Sequence, residues 1–438
     1  MKKILLAFII IVWGALMGIL VHGAQATEMM ANRYDVNGYS IAYYENNKIA
    51  FQNYGDGISE KSVFELASNG KVISAYIALK LVDEGKLNLE DKIASFLDSS
   101  LLTDDERIYD ITLKQLLCHT AGFSPSFELG IDKKIYSDPG EKFCYSGVGY
   151  IYLQNVIENV SGMTIEQAAQ YYVFEPLEMN NSTFEHIKTV TPYMKLSSVV
   201  IYIFVVFIIV FIVLLLLSFV IGKITKFRFF TYRSSLPVCF VIAGIVNTLF
   251  LMFVFVSKVV VIFLICFAIM GVSLLLTRKN AKIFYASIPI VIILFMILGF
   301  IIPVSIPVTN DIVAKTPNCA YTLKSTSEDM AIFCRELMKQ YDSGDGAIKD
   351  MFSDAVNIDT VNSWGLGIAI EHEIEGKTYW HSGINPGFQS LFVLYPLQDK
   401  YVLVLTNSDN GLSFAKEIAK AFLEIDGCWD IKKYRMCM

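Results

Sequence analysis

Hydrophobic residues are most concentrated in the middle of the chain, between residues 196 and 308. There they form four nearly continuous apolar runs, at residues 199–221, 236–256, 259–276 and 284–303. Each run approaches the ~20 apolar residues that a membrane-spanning helix needs. Four such runs in close order would overfill the core of a water-soluble domain. The pattern therefore predicts an insertion of four transmembrane helices.

Basic residues mark two of the loops between these runs. The first loop contains Lys223, Lys226, Arg228 and Arg233, and the third contains Arg278, Lys279 and Lys282. By the positive-inside rule both loops are expected in the cytoplasm. The flanking pieces, residues 27–195 and 309–438, are then expected outside it, at a multi-pass cell membrane.

Residues 1–26 have the pattern of a secretory signal or an N-terminal anchor. Lys2 and Lys3 precede an apolar run from Ile4 to Leu20, and Ala24-Gln25-Ala26 is a typical cleavage sequence. This pattern also predicts that the following chain leaves the cytoplasm.

The two flanking pieces show shorter, complementary patterns. In the first piece, two β-rich runs surround Asn46-Asn47, which is typical of a hairpin. Ile73, Ile77 and Leu81 then form an apolar stripe at helical spacing, and Gly85 is a stop signal. The second piece contains several strand-like runs between two helical ones. We therefore expect one α/β (α+β) domain, with a single sheet built from both pieces.

Composition limits the other classes of function. The chain is 54% hydrophobic and 18% charged with a formal net charge of −6, and it has no basic stripe, which argues against nucleic-acid binding. "HEIEG" begins like a zinc-protease motif, but Gly376 stands where the second histidine belongs. We expect no metal and no cofactor.

A serine and a lysine one helical turn apart are the first candidate for chemistry. Ser68 and Lys71 lie at the start of the predicted helix with the apolar stripe. A serine hydroxyl needs a nearby base to become a good nucleophile, and a lysine can serve if burial or positive charge lowers its pKa. The same spacing recurs at Ser413 and Lys416, so the spacing alone proves little.

Seven segments, in order, resemble the superfamily of serine β-lactamases and penicillin-binding proteins, on the side of class C β-lactamases, D,D-peptidases, D-aminopeptidases and related esterases. They are "FELASNGKVISAYIALKLVDEGKLNLEDKI", "ITLKQLLCHTAGF", "PGEKFCYSGVGYIYLQNVIE", "YYVFEPLEMNNSTF", "YTLKSTSEDMAIF", "YWHSGINPGFQSLFVLYP" and "VLVLTNS". The resemblance implies an antiparallel sheet flanked by helices, beside a helical subdomain, with the active site between them. In this chain the four predicted spans would interrupt that fold.

The resemblance also assigns roles to residues. It implies that Ser68 is acylated and that Lys71 and Tyr145 take up the proton of its hydroxyl and pass it to the leaving group. It also implies that the strand carrying His381, Ser382 and Gly383 lines the site. It further implies that the N–H of Ile384, with that of Ser68, forms the oxyanion hole, and that Gly383 leaves room for the substrate. His119 and Cys118, as well as Cys144, are expected to be structural.

Two positions depart from the family pattern. Gly147 stands where the Tyr-x-Asn motif has an asparagine, which puts β-lactam hydrolysis and efficient acylation in doubt. His381 replaces a lysine, so its pull on a substrate carboxylate is weaker near neutral pH.

These observations favour a membrane-bound, extracytoplasmic serine hydrolase acting on peptide, D-amino-acid amide or ester bonds of cell-wall-related or secreted peptides. The expected partners are such a substrate and the lipid bilayer. The alternative is a catalytically weak receptor or immunity protein that binds a β-lactam or an antimicrobial peptide.

Overall fold

The computed structural model describes residues 26–124, 133–195, 305–307, 316–343 and 345–430. They belong to two compact units. The first is drawn from Met1–Val190 and Val313–Met438, and the second from Thr191–Ile312.

The first unit contains an eight-stranded antiparallel sheet and its helices. Its strand order is β2-β1-β12-β11-β10-β9-β8-β7. The strands are β1 (Tyr39–Glu45), β2 (Lys48–Tyr54), β7 (Val356–Asn357), β8 (Asn362–Trp364), β9 (Ala369–Glu373), β10 (Gly376–Asn385), β11 (Phe388–Tyr395) and β12 (Lys400–Thr406). A separate two-stranded ribbon pairs β3 (Phe64–Ala67) with β6 (Leu323–Ser325).

Six α-helices accompany these strands in the described chain, besides a helical stretch at residues 26–33. They are α1 (Gly70–Asp83), α2 (Leu113–Leu117), α3 (Gly147–Ser161), α4 (Ile165–Ala169), α5 (Ser327–Ser343) and α6 (Gly411–Leu423). A π-helical turn at Gln170–Phe174 follows α4, and 3₁₀ turns lie at Ile93–Phe96, Glu106–Tyr109, Ala347–Phe352 and Pro396–Gln398. In the second unit, β4 (Tyr193–Lys195) pairs with β5 (Ser305–Pro307).

Strands from both flanking pieces form the one sheet. The β1–β2 hairpin lies at its edge, and β1 pairs with β12 over Tyr39–Tyr44 and Tyr401–Thr406. Asn46 and Asn47 both have positive φ, 53° and 58°, which suits the two-residue turn of a hairpin. One α/β domain with a sheet built from both pieces is thus present, as the residue pattern predicted.

Apolar residues on β12 cover both faces of the sheet. Tyr401, Leu403 and Leu405 pack into the core that includes α1 and α5, whereas Val402 and Val404 pack against α6. Successive side chains of a strand point to opposite faces, so a strand covered on both sides reads as an unbroken apolar run. This explains the sequence "YVLVLT".

Helix α1 is more deeply buried than its sequence pattern suggested. The apolar stripe predicted one buried face, but every residue from Gly70 to Leu79 is buried, including Lys71 and Ser74. A helix surrounded by other elements has no solvent face, and the polar groups it buries must find partners within the protein. Gly85, with φ 69°, follows its C-terminus as predicted.

The predicted fold class needs one correction, the four-helix transmembrane insertion. Of the helices in the described ranges, none is both long and apolar enough to cross a membrane. The longest, α5, has 17 residues and carries Glu328, Asp329, Arg335 and Glu336, whereas a span needs ~20 mostly apolar residues. The four segments on which the prediction rested, and the signal-like residues 1–25, lie outside the described residues.

The burial of Phe414 on α6 predicts a large contribution of this helix to the free energy of unfolding. The Phe414 side chain is fully buried, whereas Phe51 on the edge strand β2 is 37% exposed. We expect Phe414→Ala to lower the free energy of unfolding by ~3–5 kcal/mol through lost burial and a cavity, and Phe51→Ala to cost much less. Urea unfolding of both variants measures this difference, and equal losses would contradict the packing described.

Candidate active site

Ser68 lies between β3 and α1, where the chain turns sharply. Ala67, the last residue of β3, has φ 47°, a left-handed conformation that is uncommon for a residue with a side chain. Ser68 itself is half-buried, between the buried Ala67 and Asn69. The strained turn therefore leaves the serine accessible at the beginning of a buried helix.

Asn69 does not cap α1 with its side chain. Its Nδ2 donates instead to Ser390 Oγ of β11 at 2.9 Å, and Ser390 Oγ donates to Leu66 O at 3.3 Å. These bonds fix the chain on either side of Ser68 to the large sheet. Ser68 lies just before the N-terminus of α1, so the positive end of the helix dipole is directed toward it.

Lys71 reaches Ser68 from the first turn of α1. Its side chain is 2% exposed, and Nζ donates to Ser68 Oγ at 3.0 Å and to Ala320 O at 2.6 Å. Nζ also lies 5.2 Å from the ring centre of Tyr145 and 5.7 Å from that of Tyr150. The second acceptor, Ala320, was missed from the sequence because a backbone carbonyl leaves no residue-type signal.

Tyr145 connects Lys71 to the far side of the site. It is 3% exposed, two residues before α3. Its ring centre lies 4.5 Å from that of His119, 5.7 Å from Trp364 and 6.0 Å from His381. The structure thus brings Ser68, Lys71, Tyr145 and His381 into one neighbourhood.

His381 lies on β10 and is fully buried. Its Nδ1 is 2.9 Å from Ser382 O. A carbonyl oxygen can only accept, so Nδ1 carries a proton in this arrangement. The next residues along the strand are Ser382, which is buried, and Ile384, which is half-buried.

Among the described strands, the second half of β10 pairs with a neighbouring strand on one side only. β9 pairs with Gly376–Trp380, whereas β11 pairs with Tyr379–Asn385. A two-residue loop joins β10 to β11, so the residues that flank it, Asn385 and Phe388, form a hydrogen-bonded pair. Hydrogen-bonded and non-hydrogen-bonded pairs alternate along two antiparallel strands, so Ile384 does not bond to β11. Its N–H points instead to the opposite edge of β10, the open edge, where this half of the strand has no partner among the described strands.

Gly383 allows β3 to approach this open edge closely. A Cβ atom on Gly383 would lie 1.9 Å from Leu66 O and 2.7 Å from Ser390 Oγ. The space of its missing side chain is therefore occupied by the strand that leads to Ser68. This differs from the role implied by the family resemblance, in which Gly383 makes room for substrate.

His119 lies closer to this chemistry than the sequence suggested. It is 2% exposed with φ 58°, and its Nδ1 accepts from the Ser146 N–H at 3.1 Å. Burial, and then the charges of Lys71 and His381, lower the pKa of His119 well below its usual value. The ring is therefore neutral and carries its proton on Nε2. The sequence predicts only a structural role for this histidine.

The motif "HEIEG" lies in a different polar cluster. His372 Nε2 is 3.0 Å from Ser363 Oγ and 3.1 Å from Asp354 Oδ1. A catalytic triad needs the acid and the serine on opposite ring nitrogens, and here both contact Nε2. The described residues contain no group of three or more His, Cys, Asp or Glu side chains that could hold a metal ion.

Part of the chain is similar in sequence to known proteins. Residues 23–189 match the family model described as Beta-lactamase. "Protein flp" of Staphylococcus aureus (strain MW2) is 29% identical over 176 residues, 34% of this chain and 35% of that protein. "Penicillin-binding protein 4" of Amycolatopsis lactamdurans is 24% identical over 183 residues, 37% of this chain and 48% of that protein. The chain thus matches half or less of the length of these relatives.

Solved structures extend the similarity to most of the chain. A penicillin-binding protein homologue from Pyrococcus abyssi has a TM-score of 0.59 and 16% identity, covering 93% of this chain and 78% of its own. A β-lactamase/D-alanine carboxypeptidase from Pseudomonas syringae has a TM-score of 0.56 and 14% identity, covering 92% and 97%. This chain has the fold of the β-lactamase and penicillin-binding-protein superfamily.

Gly147 is where the site departs from the superfamily's Tyr-x-Asn motif. It is the first residue of α3 and has no side chain to offer Lys71. Ser146 before it caps the helix, accepting from the Gly149 N–H at 2.9 Å. Lys71 nevertheless has a second acceptor, Ala320 O. The lysine is therefore held without the motif's asparagine.

The lowered pKa of His119 predicts a pH dependence of stability. The folded protein keeps His119 neutral, while an unfolded histidine takes up a proton below pH ~6.5. Unfolding therefore binds a proton as the pH falls through this range, and stability is lost. We expect His119→Gln to reduce this loss by up to ~1.4 kcal/mol per pH unit below pH ~6.5. Denaturant unfolding between pH 7.5 and 5 tests it, and parallel pH profiles of both proteins would refute it.

Proposed function

We propose that this protein is a serine hydrolase that forms an acyl-enzyme on Ser68. One observation carries the proposal: the buried Lys71 places Nζ 3.0 Å from the hydroxyl of a half-buried serine at a helix N-terminus. A lysine is almost never fully buried unless its ammonium group is paired. Nucleophile and base within hydrogen-bond reach are the geometry that nucleophilic catalysis requires.

Acylation begins when Ser68 Oγ attacks the carbonyl carbon of the substrate. The Oγ–H bond breaks, and the proton passes to the Lys71–Tyr145 pair. The carbonyl electron pair moves onto oxygen, where the N–H groups of Ser68 and Ile384 stabilise the negative charge. Donors of this kind are typically worth ~2.7–4 kcal/mol each. The open edge of β10 and the closely placed β3 support this assignment.

Collapse of the tetrahedral intermediate completes the first half of the reaction. The carbonyl re-forms, the bond to the leaving nitrogen or oxygen breaks, and the leaving group takes the proton from the Lys71–Tyr145 pair. Water then attacks the Ser68 ester and loses its proton to the same pair. The acid leaves, and Ser68 recovers its hydrogen.

The substrate class we propose is a peptide, D-amino-acid amide or ester of cell-wall-related or secreted origin. A D-stereospecific amidohydrolase from Streptomyces has a similar fold, with 17% identity and a TM-score of 0.55, covering 90% of this chain and 97% of its own. Gly147 in place of the family's asparagine puts β-lactam hydrolysis in doubt and so favours peptide or ester cleavage. The signal-like residues 1–26 favour an extracytoplasmic location.

A second candidate function is a penicillin-binding-like receptor that is acylated but hardly turns over. Gly147 motivates it, because the missing amide cannot help to orient a substrate. A receptor of this kind would keep its adduct on Ser68, whereas a hydrolase would release it.

Labelling of Ser68 tests the proposal. We expect the full-length protein to react with a fluorescent fluorophosphonate and to hydrolyse an activated ester, and Ser68→Ala to lose both activities by ~10³-fold or more. Peptide mass spectrometry should locate the label on Ser68.

Ser413→Ala is the matched control. This serine has the same spacing to a lysine, but it is exposed, and Lys416 pairs with Asp430 at 3.0 Å. The control should behave like the wild type. Absence of label and turnover in the folded wild type would overturn the hydrolase, and a stable penicillin adduct without ester turnover would favour the receptor.

A further inference from the structure

Asn385 is a buried polar residue next to the proposed oxyanion donor. It ends β10, directly after Ile384, and is 7% exposed. Its Nδ2 donates to Glu65 Oε2 at 2.8 Å and to Tyr321 O at 3.1 Å. The mechanism above does not use this side chain.

The orientation of the Asn385 amide is determined by these two partners. A carboxylate and a carbonyl oxygen both accept only, so the NH₂ end of the amide must face them. Its two hydrogens serve two different chain segments. One segment precedes Ser68 and the other lies in the second flanking piece.

Glu65 depends on this contact because it is buried. It is 3% exposed on β3 and faces Lys324, 1% exposed, across the β3–β6 ribbon. Burial raises the pKa of Glu65 above its usual value, and the hydrogen bond from Asn385 and the charge of Lys324 offset only part of this rise. A buried carboxylate that lost its hydrogen-bond donor would be destabilised, so β3 and the end of β10 are coupled.

Each contact of Asn385 leads to a part of the site. Glu65 lies three residues before Ser68 on the same strand and turn. Tyr321 follows Ala320, whose carbonyl holds Lys71. Asn385 itself follows Ile384, whose other neighbour, Gly383, lies against Leu66 O. One amide therefore connects the segments that carry the nucleophile, the acceptor of the lysine and the oxyanion donor.

We propose that Asn385 is a positioning residue for acylation, which holds the Ile384 N–H in register with Ser68 through Glu65 and Tyr321. This inference rests on the proposed function of Ser68. Asn385 acts on the geometry of the transition state through its neighbours. Its loss should slow acylation more than it weakens substrate binding, because an oxyanion donor acts on charge that develops during the reaction.

The expected effect follows from how sensitive such geometry is. A misplacement of ~1 Å at a reacting centre can cost ~100-fold in rate. For Asn385→Ala we expect acylation of Ser68 to slow by ~10–100-fold, with KM for an activated ester changed less than about threefold. A merely structural residue would change thermal stability without this split between kcat and KM.

The experiment uses the full-length protein with a fluorophosphonate and a chromogenic ester. Asn180→Ala is the matched control, because Asn180 is exposed and its Nδ2 donates only locally, to Glu178 O at 3.0 Å. Both variants are compared by labelling rate, kcat, KM and thermal unfolding. The control should retain the rates of the wild type.

Glu65 provides the second test, which also covers an Asn385 variant that does not fold. Glu65→Gln keeps an acceptor for the Asn385 amide and should retain most of the acylation rate. Glu65→Leu should slow acylation, by no more than Asn385→Ala does, because the bond from Asn385 to Tyr321 O remains. The double variant Asn385→Ala/Glu65→Leu should be little slower than Asn385→Ala alone, since Asn385→Ala already removes the contact with Glu65.

The outcomes separate the inference from the proposed function. If the wild type is labelled at Ser68 and folded Asn385→Ala is labelled at the same rate, the positioning role is overturned and the hydrolase stands. Equal rates in Glu65→Gln and Glu65→Leu would overturn it as well. If the wild type is not labelled at all, the proposed function itself fails.

Discussion

The close approach of β3 to β10 is the constraint on which the site depends. Leu66 O occupies the space where Gly383 would otherwise carry a Cβ atom. A larger residue at position 383 would collide with this backbone oxygen, and no side-chain rotation could relieve the collision. The two strands would therefore have to move apart. At this distance Ser68, two residues after Leu66, stands beside the edge of β10 that presents the Ile384 N–H. The proposed nucleophile and the proposed oxyanion donor are thus positioned by one backbone contact.

Buried polar groups reinforce that contact from both flanking pieces of the chain. Lys71 is held by Ala320, Asn69 by Ser390, and Glu65 by Asn385. Polar groups in an interior of low dielectric are costly unless their partners are present, and strongly oriented when they are. The site therefore forms only when residues far apart in sequence have folded together.

Much of the fold and part of the site could be predicted from the sequence, for identifiable reasons. The hairpin turn at Asn46-Asn47, the doubly covered strand β12 and the pairing of Ser68 with Lys71 all leave side-chain signals. The sequence does not indicate the role of the Ala320 carbonyl, because every residue has one. It also does not distinguish the buried Asn385 from an asparagine on the surface. The full burial of α1 comes from elements that pack around it, which its own periodicity cannot show. The transmembrane insertion was inferred from apolar runs alone, and the described helices do not contain it.

The most direct test of the account is a crystal structure of the full-length protein with Ser68 phosphonylated. The phosphonyl oxygen mimics the oxyanion of the tetrahedral intermediate. The account predicts this oxygen within ~3 Å of both the Ser68 and Ile384 backbone nitrogens, with Lys71 Nζ still bound to Ala320 O. A phosphonyl oxygen directed away from β10, toward solvent or toward Tyr145, would contradict it.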